Sequence, residues 1–161
     1  VDSRRPLETT RNLRVLRATL DHLDDVVRGN ESMAWETEAK RLGTETLRRG
    51  VRAVLEDPAK GFYLVAVTDV GRVVGQLMVT FEWSDWRDGT IFWIQSVYVT
   101  PEARRSGVYT ALHAAVLSHA RAHDGVAVRL YVEKHNGVAQ ETYRRVGMKP
   151  AIYDLMEQED F

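Results

Sequence analysis

The sequence contains no cysteine. That excludes disulfides, thiolate nucleophiles, iron–sulfur clusters and cysteine-based zinc sites. It also lacks an excess of either charge: 22 Lys+Arg against 23 Asp+Glu leave a formal net charge of −1. No overall positive field is there to hold a nucleic-acid backbone or an anionic membrane. Long hydrophobic runs are missing too. Tyr63-Leu64-Val65-Ala66-Val67 is far too short to cross a bilayer, and Val1-Asp2-Ser3-Arg4-Arg5-Pro6 leads into no apolar segment of the signal-peptide kind. Repeats and low-complexity tracts are absent. What is present is 161 residues, 44% hydrophobic and 28% charged, an ordinary composition for one folded domain. The expectation is a flexible polar leader over 1–11 and a single domain over 12–161, cytoplasmic, with no nucleic-acid or membrane partner.

Periodicity divides the chain into elements. Residues 13–17 read as a short strand, and 20–55 as two helical pieces parted at Gly43, with Thr44 as a cap and Asp57-Pro58 as the stop. Phe62–Val67 is apolar at every position, which suits a strand covered on both faces. In the next strand Leu77, Val79, Phe81 and Trp83 alternate with Gln76, Met78, Thr80 and Glu82. Turn residues Asp88-Gly89 precede a third strand over 92–99, so these three form an antiparallel meander. Val108, Leu112, Ala115 and Val116 then fall at helical spacing. A strand over 126–133 follows, then a helix capped by Asn136 and closed by Gly147, and a last strand over 151–156. The predicted order is β-αα-βββ-α-β-α-β. A strand–helix–strand crossover from 92 to 133 makes those two strands parallel. The class is α+β: a mixed sheet flanked by helices on both faces.

The chemistry is densest at Val97-Tyr98-Val99-Thr100-Pro101-Glu102-Ala103-Arg104-Arg105-Ser106-Gly107-Val108-Tyr109-Thr110. Here a strand runs through a loop with two arginines and a glycine directly into a helix. The first N–H groups of a helix have no internal partner, and the dipole there is positive. Gly107 lets backbone approach a ligand, and Arg104 and Arg105 add donors for phosphate oxygens. These features describe a diphosphate cradle. They equally describe a solvated basic turn that caps a helix, and this segment alone does not choose.

A second motif does. Asn136 opens a helix carrying Ala139 and Tyr143, with Gly147 just past its end. With Arg104-Arg105-Ser106-Gly107-Val108-Tyr109 standing where a Gln/Arg-x-x-Gly-x-Gly/Ala loop is expected, the chain resembles the GCN5-related N-acetyltransferase (GNAT) family from Leu13 to Met156. Tyr109 departs from the pattern, which has Gly or Ala there. The resemblance implies an N-acetyltransferase moving an acetyl group from acetyl-CoA to an amine, often as a homodimer, with no metal. Without cysteine, transfer goes directly from thioester to amine.

On that resemblance, the backbone of Val97, Tyr98 and Val99 holds the pantetheine arm between splayed strands. The N–H groups from Arg105 to Thr110 hold the diphosphate, and Asn136 contacts the arm or caps its helix. Tyr143 is the general acid, a phenol protonated at neutral pH; as an ordinary residue it is a core aromatic. An amine acceptor must lose a proton before it attacks. Gln95 stands where polyamine acetyltransferases of the family carry a carboxylate, and an amide is no base. Glu82 is the substitute, directly or through water, unless it merely faces solvent. Phe81-Glu82-Trp83-Ser84-Asp85-Trp86-Arg87-Asp88 resembles an aromatic, acidic turn of the polyamine branch. Glu82, Trp83, Asp85 and Trp86, with Glu36 and Glu38, then suit a small cationic amine; solvated charges around a hydrophobic turn are the plain alternative. A CoA-binding module without turnover and a peptide or protein amine acetyltransferase are the competing functions. His119 and His123 share a helix face without a third metal ligand.

Overall fold

The computed structural model describes residues 12–159, so the leader over 1–11 lies outside the described residues. The chain forms two compact units, one ending at Tyr131 and one beginning at Val132. In the first, β1 (Arg14–Arg17) leads through a short 3-10 turn into α1 (Leu23–Glu38) and α2 (Thr44–Glu56). β2 (Phe62–Val67), β3 (Val73–Ser84) and β4 (Gly89–Val99) follow, then α3 (Val108–Ala122) and β5 (Gly125–Leu130). The strands lie in the order β1-β2-β3-β4-β5. All neighbours are antiparallel except β4 and β5, the parallel pair expected of the crossover.

Two adjacent residues of β3 show how the helices divide between the faces. Gln76 turns toward α1, where its amide donates to Val26 O at 3.1 Å and to Asn30 Oδ1 at 3.0 Å. Gly75 turns the other way: a Cβ there would come within 2.5 Å of Val108 in α3. Side chains alternate along a strand, so α1 and α3 lie on opposite faces. The α1 and α2 side is filled by Leu23, Val26, Val27, Val51, Tyr63, Val65 and Val67. On the α3 side Leu77, Val79, Phe92, Leu112 and Val116 are almost fully buried, and His119 packs its ring 4.7 Å from Phe62. β2 is buried at every position, as its unbroken apolar run requires. Gln76 and Asn30, two polar groups taken into this core, are satisfied: Asn30 also donates to the Tyr63 hydroxyl at 3.2 Å.

One irregularity shapes β4. Met78 pairs with Ser96 and Val79 with Ile94, so Gln95 is an extra residue opposite no partner, a β-bulge. The β4–β5 ladder ends at the same place, with Ile94 against Leu130. Beyond it β4 continues to Val99, paired among the described residues with β3 alone.

The second unit carries α4 (Gly137–Arg145). Asn136 caps it, accepting from Ala139 N at 3.0 Å, and Gly147 closes it at φ 91°. Two expectations are corrected. Thr44 is not a cap: Gly43 holds that position, and the Thr44 hydroxyl ties the helix back to α1 through Glu31 at 2.9 Å. The final strand over 151–156 does not form; residues 151–159 have no regular structure, and Ile152, Tyr153, Leu155 and Met156 are exposed. Their composition suits a strand, but a strand exists only by pairing, and they have no ladder partner among the described residues.

Candidate functional site

The site grows out of the bulge. From Gln95 to Val99, the edge of β4 turned away from β3 has no strand beside it among the described residues. Main-chain donors and acceptors along such an edge are available to a ligand lying in the opening between β4 and β5. The side chains of Val97 and Val99 follow the α3 face, while Tyr98, opposite Gln76, follows the α1 face. The Val99 carbonyl already accepts from Arg104 Nε at 3.0 Å, and a carbonyl oxygen has a second lone pair to offer.

The edge leads into the loop. Pro101–Ala103 makes one 3-10 turn, and the Ser106 hydroxyl donates to Ala103 O at 2.5 Å. Arg105 is held at φ 61° and Gly107 at φ 87°. The left-handed region costs a non-glycine residue about 1–3 kcal/mol, so Arg105 marks a strained turn. α3 then starts with no side chain capping it. The N–H groups of Gly107, Val108, Tyr109 and Thr110 therefore have no partner within the helix. A Cβ at Gly107 would meet no atom within 4 Å, so the space before the helix end is open. Main-chain donors, a positive dipole end and Arg105 suit a diphosphate. Tyr109 does not fill that space: its side chain is buried, with its ring 5.8 Å from His113.

On the α1 face beside the bulge, Gln95 donates to Thr80 Oγ1 at 2.6 Å. Glu82 accepts from Trp93 Nε1 at 2.5 Å and lies 3.6 Å from the Arg129 guanidinium. Arg129 also sits over the Trp93 ring at 5.7 Å, and Trp93 stacks on Tyr131 with centroids 4.6 Å apart. Sequence reasoning missed Thr80, Trp93, Arg129 and Tyr131, which meet through the β3–β4–β5 register. Their alternation with residues already singled out was the only signal.

The acidic and aromatic residues of the turn do not converge. Glu82 and Trp83 project to opposite faces by the strand alternation. Trp86 is 92% exposed, and Asp85 is spent on the backbone N–H of Trp86 at 2.9 Å. Glu38 ends α1, exposed. Glu36 is elsewhere again: it forms an ion pair with Arg104 and accepts from the Tyr98 hydroxyl at 3.2 Å. In the second unit, Asn136 is engaged as a cap, and Tyr143 is half-buried. Burial pushes the Tyr143 phenol above its ordinary pKa. His119 and His123 stack their rings at 4.1 Å. Among the described residues no group of three potential ligands gathers for a metal, and no helix is long and apolar enough to cross a membrane.

Known proteins resemble this chain in sequence and fold. A mycothiol acetyltransferase of Gordonia bronchialis is 29% identical over 143 residues, which are 89% of this chain and 45% of that protein. The chain thus spans about half the length of that relative. The structure of a possible acetyltransferase from Clostridium difficile 630 matches with a TM-score of 0.86 and 39% identity, covering 94% of this chain and 99% of that one. An aminoglycoside N-acetyltransferase solved in complex with CoA has the same fold at a TM-score of 0.77 and 14% identity, over 92% of this chain and 95% of its own. The profile of the acetyltransferase (GNAT) family matches residues 20–148. With the profile running from the 3-10 turn before α1 to the end of the Asn136–Gly147 motif, the chain belongs to the acetyltransferase (GNAT) family.

Proposed function

We propose that the protein is an acetyl-CoA-dependent N-acetyltransferase, a single acetyltransferase domain over 12–161, acting on the primary amine of a small cationic acceptor. The observation that carries this reading is the unpaired β4 edge from Gln95 to Val99 running into the uncapped N-terminus of α3. Acetyl-CoA supplies an activated acyl thioester. The protein's own groups do the rest. The β4 edge hydrogen-bonds the pantetheine arm, and the N–H groups of 105–110 with Arg105 hold the diphosphate. A main-chain N–H at the bulge faces the carbonyl oxygen on which negative charge develops. Tyr143, a phenol protonated at neutral pH, donates a proton to the departing sulfur. Glu82 receives the proton of the amine through a water, its own oxygens being engaged by Trp93 and Arg129. Glu36 and Glu82 supply negative charge on the acceptor side. A cytoplasmic homodimer completes the reading.

A second reading, a CoA-binding module without turnover, is favoured by Gln95: at the bulge stands an amide bonded to Thr80, which takes no proton. The test is thiol release from acetyl-CoA across polyamines, aminoglycosides, amino acids and peptides. Release with a small polyamine is the expected result. Thermal stabilisation by CoA with no release selects the binding module, and no stabilisation at all removes both readings.

A further inference from the structure

Two side chains that the sequence assigns to different ligands are bonded to each other. Arg104 stands in the loop proposed for the diphosphate, and Glu36, proposed for the acceptor, sits in the last turn of α1. They form an ion pair across 68 positions of sequence. Each is also held from behind. The Tyr98 hydroxyl donates to the other oxygen of Glu36 at 3.2 Å, and Arg104 Nε donates to Val99 O at 3.0 Å. The two side chains are 44% and 36% exposed, and pairs so open to water are weak and change partners readily.

Charge governs how each half of the pair meets a ligand. Paired with Arg104, the Glu36 carboxylate has little net pull on a cation. A diphosphate carries more negative charge than a carboxylate and offers several oxygens to the guanidinium. We propose that the cofactor's diphosphate and Glu36 compete for Arg104, and that the released Glu36, kept in place by Tyr98, is the ammonium site for the acceptor. This rests on the acetyl-CoA reading above. The cofactor then makes the acceptor site, and by linkage each ligand strengthens binding of the other. Glu36 is a competitor toward the cofactor and a contact toward the amine.

The experiment is calorimetric titration of CoA into the wild type, Glu36→Gln, Arg104→Gln and the double variant, with pantetheine as a ligand lacking the diphosphate. Removing the competitor in Glu36→Gln tightens CoA binding about two- to fivefold. Pantetheine binding is unchanged, and the gain vanishes in the Arg104→Gln background. A Glu36 that merely braces Arg104 gives weaker CoA binding in Glu36→Gln, and that result, or equal affinity, overturns the competition. Spermidine serves as the amine probe: CoA strengthens its binding to the wild type and not to Glu36→Gln. No strengthening in the wild type overturns the ammonium site. A wild type that binds neither CoA nor pantetheine overturns the acetyl-CoA reading itself, and the inference falls with it.

Discussion

Gly107→Ala separates the folding role of the loop from its binding role. The residue sits at φ 87°, and an added Cβ would meet no atom within 4 Å. No clash contributes, so the folded state loses only torsional energy, about 1–2 kcal/mol for an L-residue in the left-handed region. Lower entropy of the unfolded chain offsets about 0.4–1 kcal/mol of that. The net loss is about 1 kcal/mol, which lowers Tm by about 2–4 °C in a chain of 161 residues. The ligand meets a different situation. The same open space is where a diphosphate must come against the N–H groups of α3, and a methyl group there holds it off. CoA affinity should fall at least about tenfold, or ~1.4 kcal/mol. Melting curves with and without CoA, together with titration calorimetry, measure both quantities on one sample. The few-degree loss with an unchanged Kd refutes the cradle. A loss of ten degrees or more refutes the torsional argument, because something unseen must then pack against the new methyl.

The same geometry sets three further outcomes. Tyr143→Phe keeps the half-buried ring and removes the proton; kcat should fall about 10²-fold or more with CoA affinity nearly unchanged, and an unaltered kcat takes the phenol out of the reaction. Leu112→Ala empties a fully buried position between α3 and Gly75 of β3 and should destabilise the fold by about 2–5 kcal/mol, read from denaturant midpoints. Burial holds the His113 imidazole below its ordinary pKa of 6.5, so the unfolded chain binds that proton more readily than the folded one. Its contribution is complete above pH 6.5 and is lost as pH falls through the lowered value; Tm measured downward from pH 7 should decline less steeply in His113→Leu than in the wild type.

Much of the fold was written in short stretches of chain. The unbroken apolar run of β2, the alternation along β3, the helical spacing in α3 and the Asn136 cap each depend on residues within a turn or two of one another. The loop into α3 was legible for the same reason: strand, positive-φ glycine and helix start are consecutive. The strand expected over 151–156 failed because apolar composition states a preference and says nothing of a partner. Thr44 failed as a cap because Gly43 next to it occupies that position, leaving the hydroxyl to reach Glu31.

The acceptor side divides differently. That Glu82 and Trp83 face opposite ways follows from a strand's period of two, and needs no structure. That Glu82 is tied to Trp93 and Arg129, and Glu36 to Arg104 and Tyr98, does not follow from any local pattern. Nor does the extra residue at Gln95, which exists only relative to its neighbour in β3. Helix and strand preferences are written in residues a few positions apart, whereas strand pairing, register and ion pairs join positions tens of residues apart. The sequence named an anion site and an amine site from their residue types. Folding placed a carboxylate of one against a guanidinium of the other, because α1 packs on the sheet against β3 and β4 and its last turn comes beside Tyr98 and Arg104.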